Sequence, residues 1–307
     1  MNATAPARLR NFAVRGVFWR QYLDWAIINI PFYMHPVLIF CWTVFFFFFA
    51  APARRAIVAN LRVVFPGSSA LRNHLRAFRT LHNFAWTISE GATYKLLREE
   101  FDYEIDGSEL LDQLAAARGA IVLTAHMGNY DLGAGLFAEK FNREIRMVRA
   151  PEADAQTEQH LRESLAQTGQ GAVKIDYNTG GALLSFDLLN ALRSGEIVSI
   201  QGDRVVAGVG KTSGRMFEHE MGLPNGPFIL SQVATLPIFP LFIVRRGFRR
   251  YTIIVREPIG VQRNAGRREE NIAVAVAQWC AILQSVISEH WDQWFAFIPV
   301  FASDVRP

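Results

Sequence analysis

The sequence predicts an α/β fold: one domain with a central, largely parallel or mixed sheet covered by helices, preceded by an N-terminal hydrophobic membrane segment. Three observations support this prediction. Short apolar runs at 120–124, 145–148, 195–200, 237–244 and 251–255 are typical of buried strands. Helical patterns lie between these runs, and strands alternating with helices favour a sheet covered on both faces. A long uncharged stretch near the N-terminus predicts the membrane segment.

The N-terminal stretch over residues 25–53 contains no Asp, Glu, Lys or Arg and is long enough to cross a bilayer at roughly 20 residues a span. Pro31 and Pro36 interrupt it, so a kinked single span and a hydrophobic hairpin or helix within one leaflet both remain open. Arginines flank both ends, so the charges do not choose an orientation. A cleaved signal peptide is a third interpretation, although its leader would be unusually long. Because the five phenylalanines of 45–49 would cover every face of a core helix, we expect membrane contact.

The helices of the remaining chain follow from periodic apolar residues. After the turn sequence 66–69, residues 70–98 place apolar side chains at three- and four-residue spacings. Further helical patterns cover 130–140, 153–167, 180–193, 226–234 and 269–289. No internal repeat, low-complexity tail or linker divides the chain, so one domain behind the N-terminal segment is the economical description.

Composition and charge exclude several classes of protein. Half of the residues are hydrophobic, which is high for a soluble protein and low for a multi-span membrane protein. The net charge of +4 suits anionic headgroups, phosphates or an acidic carrier protein as partners. No basic run alternates with aromatic residues, so nucleic acid is not an expected partner. Cys41 and Cys280 form no disulfide framework, which indicates a reducing, cytoplasmic setting, and the histidines show no metal-ligand clustering, so we predict no metal.

One segment, 121–131, combines groups that can perform chemistry. An apolar strand ends at His126, a turn with Gly128 and Asn129 follows, and Asp131 opens a helix. Reactive groups gather at the carboxyl ends of strands in open α/β sheets. A carboxylate on one ring nitrogen fixes the tautomer of a histidine, and we expect Asp131 to do this for His126. With no Ser or Cys nucleophile at a useful spacing, the pair suits direct deprotonation of a hydroxyl. The structural alternative is a helix-capping histidine with Asp131 serving the helix dipole.

The motif and its surroundings resemble a known family. His126 and Asp131 match the His-x4-Asp/Glu motif of the lysophospholipid-acyltransferase-like superfamily, and the wider pattern is similar to its lipid A biosynthesis branch, the lauroyl/myristoyl transferases that act on Kdo-lipid A precursors. The similar segments are 55–66, 126–131, 147–151, 192–204, 222–227 and 293–297. The resemblance implies a basic and hydrophobic membrane-anchoring segment at 1–53 and a His-x4-Asp acyltransferase domain at 54–307.

The resemblance also implies an activity: transfer of a fatty acyl group from acyl-carrier protein or acyl-CoA to a hydroxyl of a lipid A precursor or related glycolipid. The expected location is the cytoplasmic face of the inner membrane, with no cofactor beyond the donor substrate. His126 would be the general base, oriented by Asp131, without a covalent acyl-enzyme. The expected substrate-binding residues are Gly128, Asn129, Arg149, Asp203 and Arg204. Backbone N–H groups after Gly128, or an arginine, would stabilise the oxyanion.

Two alternatives share parts of this pattern. The lipid A enzymes often carry Glu at the acidic position, where this chain has Asp131, so a sibling group that acylates another glycolipid stays open. A glycerolipid acyltransferase would use the same chemistry, but segments 54–66 and 222–227 favour the lipid A branch. A non-catalytic, lipid-binding membrane scaffold is the third interpretation, and the intact pair of His126 and Asp131 argues against it.

Overall fold

The computed structural model describes residues 17–151, 156, 158–159, 173–178, 182–205, 208–263 and 267–301. Within them, a seven-stranded sheet has the order β1-β9-β8-β2-β5-β3-β4, and β6 and β7 form a separate hairpin. The strands are β1 Asp102–Asp106, β2 Ala120–Thr124, β3 Ile145–Arg149, β4 Val173–Tyr177, β5 Ile197–Gln201, β6 Lys211–Met216, β7 His219–Pro224, β8 Ile238–Gly247 and β9 Arg250–Val255.

Neighbouring strands of the large sheet are parallel except for the antiparallel pair β8–β9. The predicted α/β fold with a mostly parallel sheet is therefore confirmed. Each of the five predicted apolar runs is a strand, whereas β1, β4 and the β6–β7 hairpin were not predicted. Both β1 and β4 lie at the edges of the sheet and mix charged with apolar residues, so neither shows the continuous apolar run of a central strand.

Helices cover both faces of the sheet. They are α1 Val17–Asn29, α2 His35–Phe49, α3 Ala51–Val64, α4 Ala70–Leu97, α5 Ser108–Ala116, α6 Tyr130–Phe141, α7 Ala182–Arg193, α8 Gly226–Ala234 and α9 Arg268–His290. Alternate residues of β2 supply the two cores: Leu123 packs with Trp279 of α9 on one face, and Val122 packs with Leu114 of α5 on the other. The predicted helix at 153–167 lies largely outside the described residues.

The N-terminal apolar stretch folds back on itself. Helix α1 ends just before Pro31, a short 3-10 turn follows, and α2 begins at His35. The ring of Trp19 lies 4.6 Å from that of Trp42 and 6.2 Å from that of Phe46, so the two helices run antiparallel as a hairpin. Both helices pack against α4. The chain thus has a helical hairpin here rather than one kinked helix.

One face of this hairpin is open to solvent and apolar. Val37 and Phe48 of α2 are 63% and 66% exposed. Residues Phe32–Phe49 meet the length and hydropathy of a candidate membrane span, and only a small part of that segment is buried in the protein. Residues Arg268–Gln293 pass the same test, but α9 buries Trp279 and Leu283 in the core and therefore resembles the core helix of a globular domain.

The register of the parallel strands positions the functional groups. Thr124, the last residue of β2, pairs with Gln201, the last residue of β5. His126 and Asp203 each lie two residues further on, so they leave the sheet side by side at its carboxyl edge. This edge is where open α/β sheets place their ligands.

Candidate active site

His126 is bound by Asp203 at the carboxyl edge of the sheet. The Nδ1 atom of His126 lies 2.7 Å from Oδ1 of Asp203, whose side chain is fully buried while that of His126 stays partly exposed. An ionised carboxylate only accepts hydrogen bonds, so Nδ1 bears the ring proton. The neutral ring then has Nε2 free to accept a proton, as a general base requires.

Asp203 is held in its ionised form. Complete burial alone would raise its pKa, but the charge and hydrogen bond of His126, the charge of Arg204 and a hydrogen bond from Trp294 lower the pKa to about 2. The indole Nε1–H of Trp294 donates to Oδ2 of Asp203 over 3.0 Å. Both carboxylate oxygens therefore have a donor, which fixes the orientation of the carboxylate and so that of the imidazole.

Asp131 does not contact His126 as the sequence analysis expected. Its Oδ1 atom accepts a hydrogen bond from Nη1 of Arg149 over 2.6 Å. Asp131 lies in the first turn of α6 and faces Arg149 at the end of β3. The parallel register of β2 and β5 instead places Asp203 beside the imidazole of His126. The predicted orienting partner of His126 is thus corrected from Asp131 to Asp203, a residue that the sequence analysis expected to bind substrate.

Gly128 and Asn129 shape the loop that carries His126. The backbone N–H of Gly128 donates to Gln293 O over 3.1 Å, and that of Asn129 donates to Ile243 O over 3.0 Å. The side chain of Asn129 caps α6 by accepting from the N–H of Leu132 over 3.3 Å. The N–H groups of Gly128 and Asn129 are therefore used within the fold, whereas stabilisation of an oxyanion by the N–H groups that follow at the start of α6, or by an arginine, stays a prediction.

The backbone conformation and close packing at position 128 require a glycine there. Its φ of +52° lies in the left-handed region, and a Cβ atom there would stand 1.7 Å from the carbonyl oxygen of Ile243. The close approach lets the loop form an isolated bridge between Gly128 and Ile243 of β8. The glycine thus allows β8 to hold the His126 loop against the sheet.

Tyr130 connects the His126–Asp203 pair with the Asp131–Arg149 pair. Its ring centroid lies 5.8 Å from that of His126, and the guanidinium of Arg149 lies 5.9 Å from the Tyr130 ring. Burial raises the pKa of the Tyr130 hydroxyl, and the charge of Asp131 raises it further. The hydroxyl therefore stays protonated, and it interacts with the side chain of Gln201.

A small apolar cavity lies beneath Tyr130, between the sheet and helices α5 and α6. Its lining includes Leu114, Val122, Tyr130, Phe137, Ser199 and Ile243. Val122 and Thr124 both line the cavity, because alternate residues of β2 project from the same face of the sheet. Tyr130, whose ring centroid lies 5.8 Å from that of His126, thus connects the cavity lining to the catalytic edge.

Arg204 directly follows Asp203 in the chain and has no ion-pair partner among the described residues. Its charge lowers the pKa values of both Asp203 and Tyr130. It is only partly buried. Arg204 can thus offer hydrogen-bond donors to a negatively charged group at the mouth of the site.

The sequence analysis predicted several of these residues as members of the site and missed others. His126, Asp203 and Arg204 meet at the carboxyl edge, and Asp131 with Arg149 lies beside them. Trp294, whose indole N–H donates to Asp203, was not among the predicted site residues. No local signal reveals this contact, because 91 residues separate Trp294 from Asp203.

The chain is similar to one known protein family along nearly its whole length. A family model described as bacterial lipid A biosynthesis acyltransferase matches residues 14–303. The match includes the N-terminal hairpin, the sheet and every residue of the site described above. A search of the curated proteins finds no significant match.

Proposed function

Since this chain belongs to the bacterial lipid A biosynthesis acyltransferase family, we propose that it transfers a fatty acyl group from a thioester to a hydroxyl of a lipid A precursor or related glycolipid, with His126 as the general base. Family membership makes it an acyltransferase of lipid A biosynthesis. The donor, the acceptor hydroxyl and the roles of the residues are the proposal. The main observation in its support is the 2.7 Å contact between His126 and Asp203 at the carboxyl edge of the sheet.

In the proposed reaction, Nε2 of His126 removes the proton of the acceptor hydroxyl as its oxygen attacks the thioester carbonyl. Asp203 keeps the proton on Nδ1 and stabilises the imidazolium that forms. Collapse of the tetrahedral intermediate breaks the carbon–sulfur bond, and the imidazolium returns its proton to the departing thiolate. The products are an ester and a free thiol, and no acyl-enzyme is needed.

The oxyanion of the tetrahedral intermediate needs a hydrogen-bond donor, and we assign this role to Arg204. The N–H groups of Gly128 and Asn129 are used by backbone carbonyls, and the guanidinium of Arg149 is held by Asp131. Arg204 lowers the pKa values of Asp203 and Tyr130 through its charge and has no carboxylate partner among the described residues. Positioned donors of this kind often provide the largest share of catalysis in acyl transfer.

The Asp131–Arg149 pair has a positioning role in this proposal. Arg149 lies over the ring of Tyr130, and Tyr130 in turn lies beside His126. The pair would therefore hold Tyr130 in the wall of the apolar cavity. The lining is apolar apart from a few hydroxyl groups, which suits the acyl chain of the donor, but the cavity, about 30 Å³, would have to widen to admit that chain.

The N-terminal hairpin and the family together indicate membrane association. We propose that residues 1–53 anchor the protein to the cytoplasmic face of the inner membrane, where acyl-carrier protein or acyl-CoA is available. The exposed apolar face of α2 suits insertion at the bilayer interface. The donor is a substrate, and the proposed chemistry uses no further cofactor.

The test is lipid mass spectrometry on cells of the source organism that express either the wild-type chain or His126→Ala. Loss of one acyl chain from lipid A in the variant supports the proposal and identifies the chain length. Unchanged lipid A with loss of another acylated lipid moves the acceptor to a sibling pathway. An unchanged lipid profile in His126→Ala, together with an altered profile after gene deletion, contradicts catalysis and favours a scaffold.

A further inference from the structure

We propose that the turn between β8 and β9, residues 245–250, is a second membrane contact that binds the anionic surface of a phospholipid bilayer. We call this segment the basic hairpin; its sequence is Arg-Arg-Gly-Phe-Arg-Arg. The inference rests on the proposed function, because it takes from it that the acceptor substrate lies in a membrane. It concerns a surface outside the residues assigned to the chemistry.

The basic hairpin presents unpaired positive charge around an exposed aromatic ring. Phe248, at the turn, is 51% exposed. Arg246 and Arg250 are exposed, and neither has a carboxylate partner among the described residues. Arg246 instead donates a hydrogen bond from Nε to Thr252 Oγ1 over 3.1 Å. Two exposed guanidinium groups beside a protruding ring suit a headgroup layer, where cations meet phosphates and aromatic rings lie at headgroup level.

The other two arginines give the turn a fixed shape. Arg245 forms an ion pair with buried Glu90 over 3.0 Å, and Arg249 forms one with Glu99. The guanidinium of Arg249 also lies 4.6 Å from the ring centroid of Phe248. Glu90 additionally accepts a hydrogen bond from the backbone N–H of Arg249 over 3.1 Å. Phe248 is therefore held outward by a rigid base, rather than lying on an unsupported loop.

A row of ring contacts links the basic hairpin to the N-terminal hairpin. Phe40 of α2 lies 6.4 Å from His82 of α4, His82 lies 6.4 Å from Trp86, and Trp86 lies 6.2 Å from Phe248. Phe40 belongs to the exposed apolar face of α2. The two exposed surfaces are thus neighbours along α4, and a bilayer that contacts one has the other close by. This continuity argues for a membrane as the partner.

The basic hairpin is also attached to the loop that carries His126. Gln293 exchanges two hydrogen bonds with the backbone of Arg245, over 2.7 and 2.9 Å. The carbonyl of Gln293 accepts the N–H of Gly128. Strand β8 runs parallel to β2, so its far end projects from the carboxyl edge of the sheet. Binding of the basic hairpin to a bilayer would therefore turn the catalytic edge toward the lipid substrate.

The experiment measures binding of the purified full-length chain to vesicles by flotation, with phosphatidylcholine vesicles prepared with or without phosphatidylglycerol. The variant is Arg246→Gln with Arg250→Gln. The matched control is Arg118→Gln with Arg193→Gln, which removes two exposed arginines near the amino ends of β2 and β5, at the opposite edge of the sheet. Phe248→Ala tests the ring separately, and thermal melting checks that each variant folds.

The proposal predicts that the wild type prefers anionic vesicles and that high salt removes this preference. The double variant should lose roughly thirtyfold in affinity for anionic vesicles, with neutral binding unchanged, since two interfacial arginines together contribute about 2 kcal/mol. Phe248→Ala should weaken binding to both vesicle types. The control should keep the preference. Because no turnover is needed, an inactive chain would still give a readable result.

Two results would overturn the proposal. One is a double variant that keeps the full anionic preference. The other is an equal loss in the control, which would mean that net charge alone sets the preference. If the double variant binds vesicles normally but loses affinity for purified acyl-carrier protein, the surface belongs to an acidic protein partner instead of the bilayer.

Discussion

The Nδ1 atom of His126 lies 2.7 Å from Oδ1 of Asp203, 77 residues further along the chain. The contact depends on the parallel register of β2 and β5, which ends with Thr124 opposite Gln201. If this carboxylate keeps the imidazole in the reactive tautomer, Asp203→Asn should lower kcat by roughly a hundredfold or more while the protein still folds. Steady-state kinetics with a purified acyl thioester donor would measure the effect.

The matched control for this substitution is Asp292→Asn. Asp292 is also buried and forms an ion pair with Arg79 over 2.6 Å, but it has no contact with His126. Its substitution should reduce stability more than turnover. Comparable losses of kcat in the two variants would mean that a buried negative charge, rather than the contact with His126, is what matters.

Trp294 should influence the reaction through Asp203. Trp294→Phe keeps an aromatic ring but removes the donor to Oδ2 of Asp203. Since hydrogen bonds to charged groups are stronger than those to neutral ones, we expect kcat to fall by about tenfold. The control is Trp279→Phe, which removes a 2.9 Å bond to the neutral carbonyl of Gly202. That variant should lose stability and keep most of its kcat. A larger loss of kcat in Trp279→Phe than in Trp294→Phe would contradict the role of Trp294.

The sequence analysis correctly predicted those strands and helices whose position depends on neighbouring residues in the chain. The apolar run 120–124 and the helix 226–234 match β2 and α8 at both ends, because buried strands and amphipathic helices have a recognisable period. His126 was found because it follows such a strand. Its partner was misassigned, because the choice between Asp131 and Asp203 depends on strand register across 77 residues rather than on local spacing.

Other features have no strong local pattern at all. Edge strands such as β1 gain their stability from pairing with β9 and tolerate charged residues on the open side. The fold-back at Pro31 depends on packing of Trp19 against Trp42 and on the surface of α4, neither of which a hydropathy profile contains. Nothing in the sequence distinguishes Glu90 from a residue on the exposed face of a helix, yet it is buried and binds Arg245 and Tyr251.

Asp131 and Arg149 should act as a unit. Their 2.6 Å ion pair is half-buried and lies beside Tyr130. We expect Asp131→Asn and Arg149→Gln each to lower kcat roughly tenfold, and the double variant to be no slower than the worse single variant, because each change breaks the same contact. The Arg146–Asp176 ion pair between β3 and β4 is the control, and its substitutions should leave turnover nearly unchanged. Independent, multiplicative losses at Asp131 and Arg149 would refute the coupling.

Gly128 should tolerate no side chain. Gly128→Ala would place a methyl group 1.7 Å from the carbonyl oxygen of Ile243, on a residue with positive φ. The loop must then leave β8, so we expect a loss of several kcal/mol, or failure to fold. Gly208→Ala is the control, because Gly208 also has positive φ but no atom of the described residues within 4 Å of its Cβ position. It should cost only about 1 kcal/mol. Similar melting temperatures for the two variants would contradict the close-packing argument.

The exposed face of α2 should determine how firmly the protein is held by membranes. Val37 and Phe48 are largely exposed, so a charge at either position disturbs few contacts within the protein. If these side chains enter the bilayer interface, Val37→Glu and Phe48→Glu should each lower binding to neutral vesicles on the order of tenfold, because the apolar contact is lost and a charge must be kept in water. Flotation with phosphatidylcholine vesicles would measure this.

The control for α2 is Val274→Glu on α9, the other helix with the length and hydropathy of a membrane span. Val274 is 60% exposed, but α9 packs its opposite face into the core around Trp279. If α9 is a core helix with a solvent-facing side, Val274→Glu should bind vesicles like the wild type. If Val274→Glu weakened vesicle binding as much as the α2 variants, α9 would also contact the bilayer. The membrane-facing surface would then include the C-terminal helix as well as the N-terminal hairpin.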